Sequence, residues 1–341
     1  MIELSHETLV LTTRHPFTIA RGTQSEYRTV RVVVRADGHE GHGEAAPNRF
    51  YGESTESVIA ALDRFAPLLA EVDPWAIDRA ERVMNAALRF NGSVKSAVSA
   101  ALHDLAGKRL GVPVYRLWGL DLATLPQSSF TIAIAADAAE LQRRVEEAAA
   151  YPVLKIKLGT DHDEQIVEQV RRLAPDKVLR VDANAAWTPK HALRMIDVLV
   201  EHRVEFVEQP VAAHDIDGMR FVRERSALPV IADESCVTSA DIPRLVGAVD
   251  GINLKLSKCG GLREALRMIA VARTHGMLVM AGCMVESSLG ITAAAHLAPL
   301  LDYVDLDGAA LLANDPFAGA TIEGGVLKIP GGAGLGVTRR E

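Results

Sequence analysis

Three carboxylates recur along the chain, each separated from the next by the length of one strand–helix unit. Asp182, Glu208 and Asp233 each end a short β-rich run. The carboxyl ends of parallel barrel strands meet on one face, so we expect these side chains at one place. Ionised carboxylates repel one another there unless a cation lies between them. All-oxygen ligation is typical of Mg²⁺, so the spacing predicts one Mg²⁺ ion per subunit.

Lysines end two other β-rich runs. Lys155 and Lys157 in LKIKLG share one face of a strand, because strand side chains alternate. Two neighbouring ammonium groups disfavour each other's charge, which makes one of them a usable base near neutral pH. Taken alone, the pair also fits a strand end with two solvent-reaching lysines.

Lys255 ends the sixth run, which lies opposite the second run in an eight-stranded barrel. Lys157 and Lys255 are therefore predicted to face each other across the metal. One would remove a proton next to a carboxylate and the other would return one to the opposite face, while Mg²⁺ stabilises the enediolate between the steps. Lys258 is a rival for the second base, but three residues further on it is expected to point away from the mouth.

Further polar residues accompany these groups. Asn184 and Glu234 are predicted to be auxiliary groups beside the carboxylates. Asp305 and Asp307 end the eighth run and share a face, which predicts a receptor for a cationic group such as an ammonium. A solvated turn is the alternative for this pair.

The elements that must position these residues alternate along the middle of the chain. The β-rich runs are Phe130–Ala133, Val153–Lys157, Val178–Asp182, Phe206–Glu208, Val230–Asp233, Gly251–Leu254, Met277–Met280 and Tyr303–Asp305. Helical patterns between them include Ala138–Ala149, Lys190–Val200, Leu262–His275 and Ser287–Leu297. This alternation predicts an α/β fold with a parallel sheet that closes into a barrel. An open doubly wound sheet is the alternative, but no Gly-x-Gly-x-x-Gly follows an early strand.

The N-terminal part has a different, α+β pattern. Thr29–Arg35 and Gly41–Ala45 predict strands, and helical spacing follows over 54–70, 75–89 and 93–109. We expect three units along the chain. They are an α+β domain over 1–122, the barrel over 123–310, and a segment over 311–341 that returns to the first domain.

The composition of the chain argues against several kinds of partner and cofactor. The net charge is −7, with 37 basic against 44 acidic residues, which argues against nucleic acid as a partner. No apolar run is long enough to span a bilayer, and the N-terminus lacks a signal-peptide pattern, so we expect no membrane partner and a cytoplasmic location. Three cysteines without zinc-motif spacing imply neither a disulfide framework nor a zinc site. We also expect a homo-oligomer.

Several motifs together resemble the enolase superfamily, in its muconate-lactonizing subgroup, over nearly the whole chain. They are KxK at Lys155–Lys157, DAN at Asp182–Asn184, EQP at Glu208–Pro210, ADES at Ala232–Ser235, and NxK with KCGG across Asn253–Gly261. The resemblance implies an α+β capping domain over a modified TIM barrel. It also implies that the three acidic positions bind Mg²⁺, that Lys157 and Lys255 are the two acid/base groups, and that Lys155 helps to hold a substrate carboxylate.

Within this subgroup the chain resembles the L-Ala-D/L-Glu (dipeptide) epimerases. The resemblance implies that Asp305 and Asp307 bind the free α-ammonium of a dipeptide and that Thr131 contacts the substrate. Contacts with the dipeptide backbone are implied for Cys283, Met284 and Val285. The implied activity is that of an isomerase, which inverts the α carbon of the C-terminal residue of an L-Ala-Xaa dipeptide.

The segment PFTIARG, Pro16–Gly22, matches the mobile capping loop of these enzymes. Arg21 in this loop is a candidate contact to an anionic side chain. Some Glu-specific relatives carry an arginine where this sequence has Gln24, so the second residue of the dipeptide stays open between Glu and an uncharged side chain. Tyr51–Glu53 either line the same cap or begin a helix.

Other functions fit parts of the pattern. Muconate cycloisomerase and o-succinylbenzoate synthase share the metal and the lysines, but their substrates have no ammonium for Asp305 and Asp307. An N-acylamino acid racemase substrate lacks that charge too. A non-catalytic barrel would be expected to lose a metal ligand or a base, and none is lost. A Schiff-base lyase would not need three carboxylates.

Overall fold

In the computed structural model, which describes residues 1–340, the chain begins with a three-stranded antiparallel sheet. Its strands are β1 (Glu3–Ile19), β2 (Gly22–Ala36) and β3 (His39–Ala45). The long β1–β2 hairpin turns at Ala20 and Arg21, and its register shifts between Thr12 and Phe17. The hairpin tip therefore extends well beyond β3, which pairs only with the second half of β2.

Four helices follow, of which the first and third pack against this sheet: α1 (Thr55–Ala70), α2 (Ile77–Ala87), α3 (Gly92–Leu110) and α4 (Val114–Leu117). Helix α3 approaches β3 so closely that glycine is required there. A Cβ at Gly41 would lie 1.9 Å from the carbonyl oxygen of Ala101, and one at Gly43 would lie 2.0 Å from that of Ala97. Together the sheet and the helices form the α+β capping domain that the sequence predicts.

Eight parallel strands form the second sheet in strict chain order. They are β4 (Phe130–Ile132), β5 (Val153–Lys157), β6 (Val178–Asp182), β7 (Val204–Glu208), β8 (Val230–Ala232), β9 (Gly251–Leu254), β10 (Leu278–Gly282) and β11 (Tyr303–Asp305). The first and last strands meet at a seam, where Ser129 N donates a hydrogen bond to the carbonyl oxygen of Val304 at 3.1 Å. The sheet is thus a barrel, and the open doubly wound alternative is wrong.

Helices separate the barrel strands: α5 (Ala138–Glu147), α6 (Asp163–Leu173), α7 (Pro189–Glu201), α8 (Ile216–Arg223), α9 (Ile242–Leu245), α10 (Leu256–Cys259), α11 (Leu262–Thr274) and α12 (Ser288–Ala295). Capping residues mark several of their starts. Asp137 accepts a hydrogen bond from Glu140 N at the start of α5, and Thr188 accepts one from His191 N at the start of α7. The longer helices bury one apolar face against the strands.

The C-terminal segment adds four short strands: β12 (Phe317–Ala318), β13 (Thr321–Glu323), β14 (Val326–Lys328) and β15 (Thr338–Arg339). It contacts the capping domain at several places. Arg339 forms two 2.9 Å hydrogen bonds with Glu7, and Leu335 N donates to Asp104 at 2.7 Å. Residue 341 of the predicted returning segment lies outside the described residues.

The amino end of the barrel is closed by a charged and aromatic plug. Arg180 binds Glu205 at 2.8 Å, and its guanidinium lies over the rings of Phe206 and Tyr303. Access to the interior is therefore from the carboxyl ends of the strands. Within residues 1–340, every helix is too short or too polar to cross a membrane.

Candidate active site

The three predicted metal ligands meet at the carboxyl ends of adjacent strands. Asp182 ends β6, Glu208 ends β7, and Asp233 follows β8 directly. All three are buried. One oxygen from each carboxylate lies within 4.8 Å of those of the other two, which is the only such metal-holding group among the described residues. The arrangement confirms that three carboxylates converge where the sequence spacing predicts.

This cluster fits a divalent cation that prefers oxygen ligands. Three buried carboxylates at this separation repel one another, and Asp182 and Asp233 contribute, after burial itself, to raising the pKa of Glu208. The Oε2 atom of Glu208 has no well-directed hydrogen bond, although the Lys155 ammonium lies 2.7 Å away. An unsatisfied buried carboxylate oxygen is available as a metal ligand.

Two residues that the sequence analysis did not assign hold the carboxylates in place. Asn253 donates a hydrogen bond to Glu208 Oε1 at 2.8 Å. Gln209 accepts hydrogen bonds from the backbone N–H groups of Asp233 and Ser235, at 2.9 and 3.1 Å. Both lie inside the NxK and EQP motifs, but only their contacts reveal that they orient ligands.

The two predicted bases lie on opposite sides of the triad. Lys157 ends β5 and Lys255 follows β9, and three strands separate β5 from β9 in either direction around the barrel. The ammonium of Lys157 is 2.6 Å from Asp182, and that of Lys255 is 2.8 Å from Asp233. Burial disfavours the charge of Lys255, but Asp233 and Glu208 outweigh burial and raise its pKa. A Cβ at Gly282 would lie 3.1 Å from Lys255 Cε, so this glycine leaves room for the lysine.

Lys258 does not point away from the mouth as the sequence analysis expects. The chain enters helix α10 immediately after Lys255, so a residue three positions on returns to the same side. Its ammonium donates to Asp233 Oδ1 and to the carbonyl oxygen of Asp233, both at 2.6 Å, and to those of Cys236 and Asn253. Four acceptors occupy this buried ammonium, so Lys258 holds Asp233 and is not free to act as a base.

Lys155 joins the metal cluster to Asp305. Its ammonium lies 2.7 Å from Glu208, 2.7 Å from Asp305 and 3.4 Å from Asp182. Burial alone would lower the pKa of Lys155, but the surrounding carboxylates raise it well above its usual value. Lys155 is therefore a fixed positive charge at the floor of the site.

The two aspartates after β11 lie next to each other, but their surroundings differ. Asp305 binds Lys155 through one oxygen and accepts a 2.6 Å hydrogen bond from Ser129 through the other. Asp307 accepts a 2.6 Å hydrogen bond from Thr131 N and contacts no ammonium. Burial and the charge of Asp305 raise the pKa of Asp307 to about 7. A cationic ligand beside Asp307 would offset the free-energy cost of holding this buried carboxylate in its charged form. A solvated turn, the alternative for this pair, would have no such cost.

The loop after β10 packs against this pair. A Cβ at Gly308 would lie 2.4 Å from the carbonyl oxygen of Met284 and 3.1 Å from Cys283 Sγ, so the loop and the Asp307 turn are in close contact. Val285 is buried. Met284 N donates to Glu286 at 2.9 Å, and burial together with Glu44 raises the pKa of Glu286 to about 8. No pattern in the sequence distinguishes Glu286.

Arg21 brings the tip of the capping hairpin to the barrel. It donates to Glu234 at 2.7 Å and to the carbonyl oxygen of Asn184 at 2.9 Å, and its guanidinium lies 4.6 Å from the centre of the Phe50 ring. Gln24, further along the hairpin, donates to the carbonyl oxygen of Glu26. Arg21 is thus engaged with a barrel carboxylate beside the triad.

The two ends of the segment Tyr51–Glu53 have different roles, one at a helix start and one at the cap. Glu53 is buried and accepts hydrogen bonds from Ser93 at the start of α3, so it serves the helix. Tyr51 packs edge-on against Phe50, whose ring lies under the Arg21 guanidinium, and burial followed by the charges of Asp233 and Glu234 raises the pKa of Tyr51. Tyr51 therefore lies beside the Arg21 contact, on the capping-domain side of the site.

Comparisons with known proteins agree with this geometry. Residues 3–119 match the mandelate racemase / muconate lactonizing enzyme N-terminal domain, and residues 136–341 match the enolase C-terminal domain-like family. The chain is 38% identical over 327 residues to an L-Ala-D/L-Glu epimerase of Bacteroides thetaiotaomicron, covering 96% of this chain and 85% of the relative.

Two solved structures are similar over nearly the full length. A dipeptide epimerase from Enterococcus faecalis, complexed with Mg and L-Leu-L-Tyr, has a TM-score of 0.94, 33% identity and 99% coverage of both chains. A substrate-liganded L-Ala-D/L-Glu epimerase from Bacillus subtilis has a TM-score of 0.94 and 30% identity, covering 99% of this chain and 98% of its own. With its capping domain, its barrel and its carboxylate triad, the chain belongs to the mandelate racemase / muconate lactonizing enzyme family of the enolase superfamily.

Proposed function

We propose that this chain is a Mg²⁺-dependent dipeptide epimerase, an isomerase that inverts the α carbon of the C-terminal residue of a dipeptide by a two-lysine 1,1-proton transfer. L-Ala-Xaa is the substrate class that the resemblance implies. The observation that carries the proposal is the placement of Lys157 and Lys255 on opposite sides of the triad, each in contact with a different carboxylate of it.

Asp182, Glu208 and Asp233 would hold the ion. The ion, when bound, would neutralise the negative charge that develops on the substrate carboxylate, and it would offset the charge of the three side chains that hold it. Lys155 lies beside Glu208 with a permanent positive charge, so it would hold the same substrate carboxylate. This carboxylate fixes the adjacent α carbon between the two bases.

Lys157 and Lys255 then exchange roles according to the substrate stereoisomer. The neutral amine on one side accepts the α-proton, and the ammonium on the other side donates a proton to the opposite face of the carbon. Both side chains are nearly buried, which keeps bulk water from competing for these protons. Each of these lysines donates to a single acceptor, one carboxylate oxygen, whereas Lys258 donates to four acceptors.

The group that would bind the ammonium end of the substrate distinguishes a dipeptide epimerase from the alternative enzymes. Asp307 is a buried carboxylate with no cationic partner, and an α-ammonium supplies one. We propose that Asp305 and Thr131 complete this receptor and that Cys283, Met284 and Val285 contact the dipeptide backbone. A muconate cycloisomerase, an o-succinylbenzoate synthase or an N-acylamino acid racemase would leave the charge of Asp307 unmatched.

The relatives support this proposal through what they bind. The Enterococcus faecalis relative is complexed with Mg and a dipeptide, and the Bacillus subtilis relative is a substrate-liganded epimerase. The cytoplasmic location, the homo-oligomer and the predicted domain boundaries stay predictions.

A proton-exchange screen tests the function. The Mg²⁺-loaded protein is incubated in D₂O with a library of L-Ala-L-Xaa and L-Xaa-L-Xaa dipeptides, and deuterium at the α carbon of the second residue is read by mass spectrometry. Selective labelling supports the epimerase. No labelling of any dipeptide, with Mg²⁺ bound, contradicts it and directs the search to cycloisomerase and o-succinylbenzoate synthase substrates.

A further inference from the structure

A cavity of about 510 Å³ lies beside the seam between β4 and β11. Residues of β1, β4, α5 and the turn after β11 line it. We call it the seam cavity and define its main walls by Phe17, Phe130, Arg144, Glu147, Tyr151 and Leu311. None of the predicted metal ligands or bases lines it.

The two charged groups among the main walls, Arg144 and Glu147, are already paired. Arg144 donates to the carbonyl oxygens of Pro16 and Ala133, at 3.0 and 3.3 Å, and to Glu140. Glu147 lies 2.8 Å from a ring nitrogen of His15. These bonds hold the walls together and leave little charge for a ligand to meet.

Apolar faces make up most of the remaining wall. The rings of Phe130 and Tyr151 stack with centroids 4.4 Å apart, and Phe17 and Leu311 are half-buried beside them. Arg14, the other cation that lines the cavity, is exposed and uses Nε to bind the carbonyl oxygen of Leu312. The surface presented to a ligand is therefore apolar and partly aromatic, which fits an uncharged hydrocarbon group.

Asp307 does not itself line the seam cavity, but it lies directly behind residues that do. Thr131, whose backbone N–H binds the Asp307 carboxylate, lines the cavity, and so do Ala310 and Leu311 of the 3₁₀ turn that begins at Asp307. The charge of this carboxylate also reaches the cavity wall, since it contributes, after burial, to raising the pKa of Tyr151.

We propose that the seam cavity binds the side chain of the first residue of the dipeptide, and that this side chain is larger than the methyl of Ala and apolar. The inference rests on the proposed function for the ammonium of that residue at Asp307, and it replaces the L-Ala first residue that the resemblance implies. The ammonium and the side chain share one carbon atom, so a dipeptide anchored there has its first side chain next to the cavity. A methyl leaves most of 510 Å³ unfilled, whereas Leu or Phe covers the rings of Phe17 and Phe130.

Matched dipeptides that differ only in the first residue test this inference. L-Ala, L-Leu, L-Phe and L-Asp are each joined to L-Leu and to L-Glu, and kcat/KM for α-proton exchange in D₂O is measured with the Mg²⁺-loaded protein. We expect L-Leu and L-Phe to exceed L-Ala by at least about tenfold, the usual discrimination of an apolar pocket, and L-Asp to be the poorest.

Two variants locate the effect in the cavity. Ala310→Leu fills it and should abolish the preference for the large first residue while retaining exchange of the L-Ala dipeptides. Phe17→Ala removes a wall and should weaken the same preference. Ala139→Leu, on the exposed face of α5, is the matched control and should leave all ratios unchanged. Thermal melting of each variant confirms folding.

The outcomes separate the two proposals. The cavity assignment is wrong if the rate of exchange does not depend on the first residue. It is also wrong if a preference for large first residues remains in both Ala310→Leu and Phe17→Ala. Neither result contradicts the epimerase activity. Absence of exchange with every dipeptide overturns both.

Discussion

Arg21 of the capping hairpin and Glu234 of the barrel form an ion pair, with Nη1 2.7 Å from Oε1. Glu234 is fully buried and follows the proposed metal ligand Asp233 in the chain, whereas the Arg21 side chain is about one-third exposed. Burial lowers the pKa of Arg21, but Glu234 outweighs burial and raises it. The pair therefore links the position of the cap to the surroundings of the metal cluster.

Removal of this pair should loosen the hairpin tip. We expect Arg21→Gln and Glu234→Gln each to raise amide hydrogen exchange of residues 18–23 by about tenfold, because each leaves the tip without its anchor. If the two act as a pair, the double variant exchanges no faster than either single one. Arg28→Gln, in an exposed pair with Glu26 on the same hairpin, is the control. Additive effects of the two single changes would contradict the link.

Gly159 tests the same contact from the barrel side. Its φ is +108°, and a Cβ there would lie 2.6 Å from the Cβ of Ala20 at the hairpin tip and 2.8 Å from that of Ala186. Gly159→Ala should therefore displace the tip and raise KM for the dipeptide more than it lowers kcat. Gly276→Ala, also at positive φ but in open space, controls for backbone strain. Equal kinetic effects of the two changes would show that contact with Ala20 is unimportant.

The two-lysine mechanism predicts that Lys157→Ala and Lys255→Ala each abolish epimerisation. Each variant should still exchange the α-proton of one substrate stereoisomer, because the base on the other side remains. Deuterium incorporation into the L,L and L,D dipeptides, measured separately, checks this. Lys190→Ala, on an exposed helical position, is the control. Unchanged turnover in either active-site variant would refute the mechanism.

Metal binding should be visible without turnover. Mg²⁺ relieves the repulsion among the three carboxylates, so it should raise the melting temperature. At a hundred times its dissociation constant, the expected gain in the free energy of unfolding is about 2.7 kcal/mol. Glu208→Gln removes one ligand and should largely abolish this shift, whereas Glu201→Gln on the surface of α7 should retain it. An equal shift in both variants would place the ion elsewhere.

Two buried histidines predict acid sensitivity. Burial lowers the pKa of His103 and of His296 to about 4, from an ordinary value near 6.5. The unfolded chain therefore binds protons between pH 6.5 and 4 that the folded chain does not, and stability falls as the pH decreases through this window. The full slope for two such groups is about 2.8 kcal/mol per pH unit.

Urea denaturation between pH 7 and pH 5 measures this effect. His103→Gln and His296→Gln should each flatten the pH dependence, although each also lowers stability at pH 7 by disturbing a buried site. His39→Gln, at the exposed start of β3, should leave the slope unchanged. A slope that is identical in all variants would assign the acid sensitivity to other groups.

The barrel and the positions of the proposed reacting groups follow from the sequence pattern alone. Alternating β-rich and helical patterns identify a parallel sheet, and each of Asp182, Glu208 and Asp233 stands at a strand end, so their convergence follows from the periodicity of the strands. Lys157 and Lys255 follow by the same reasoning, since strand order alone places them on opposite sides.

The partners of these groups, in contrast, depend on the tertiary structure. Lys258 faces Asp233 because a helix replaces the strand after Lys255, and strand periodicity does not report where a strand ends. Lys155 binds Asp305, Arg21 binds Glu234, and the seam cavity joins β1 to β4 and the β11 turn. These contacts connect residues far apart in the chain across the barrel seam and the cap. Local pattern determines which face a side chain occupies, whereas the packing of whole domains determines what lies opposite it.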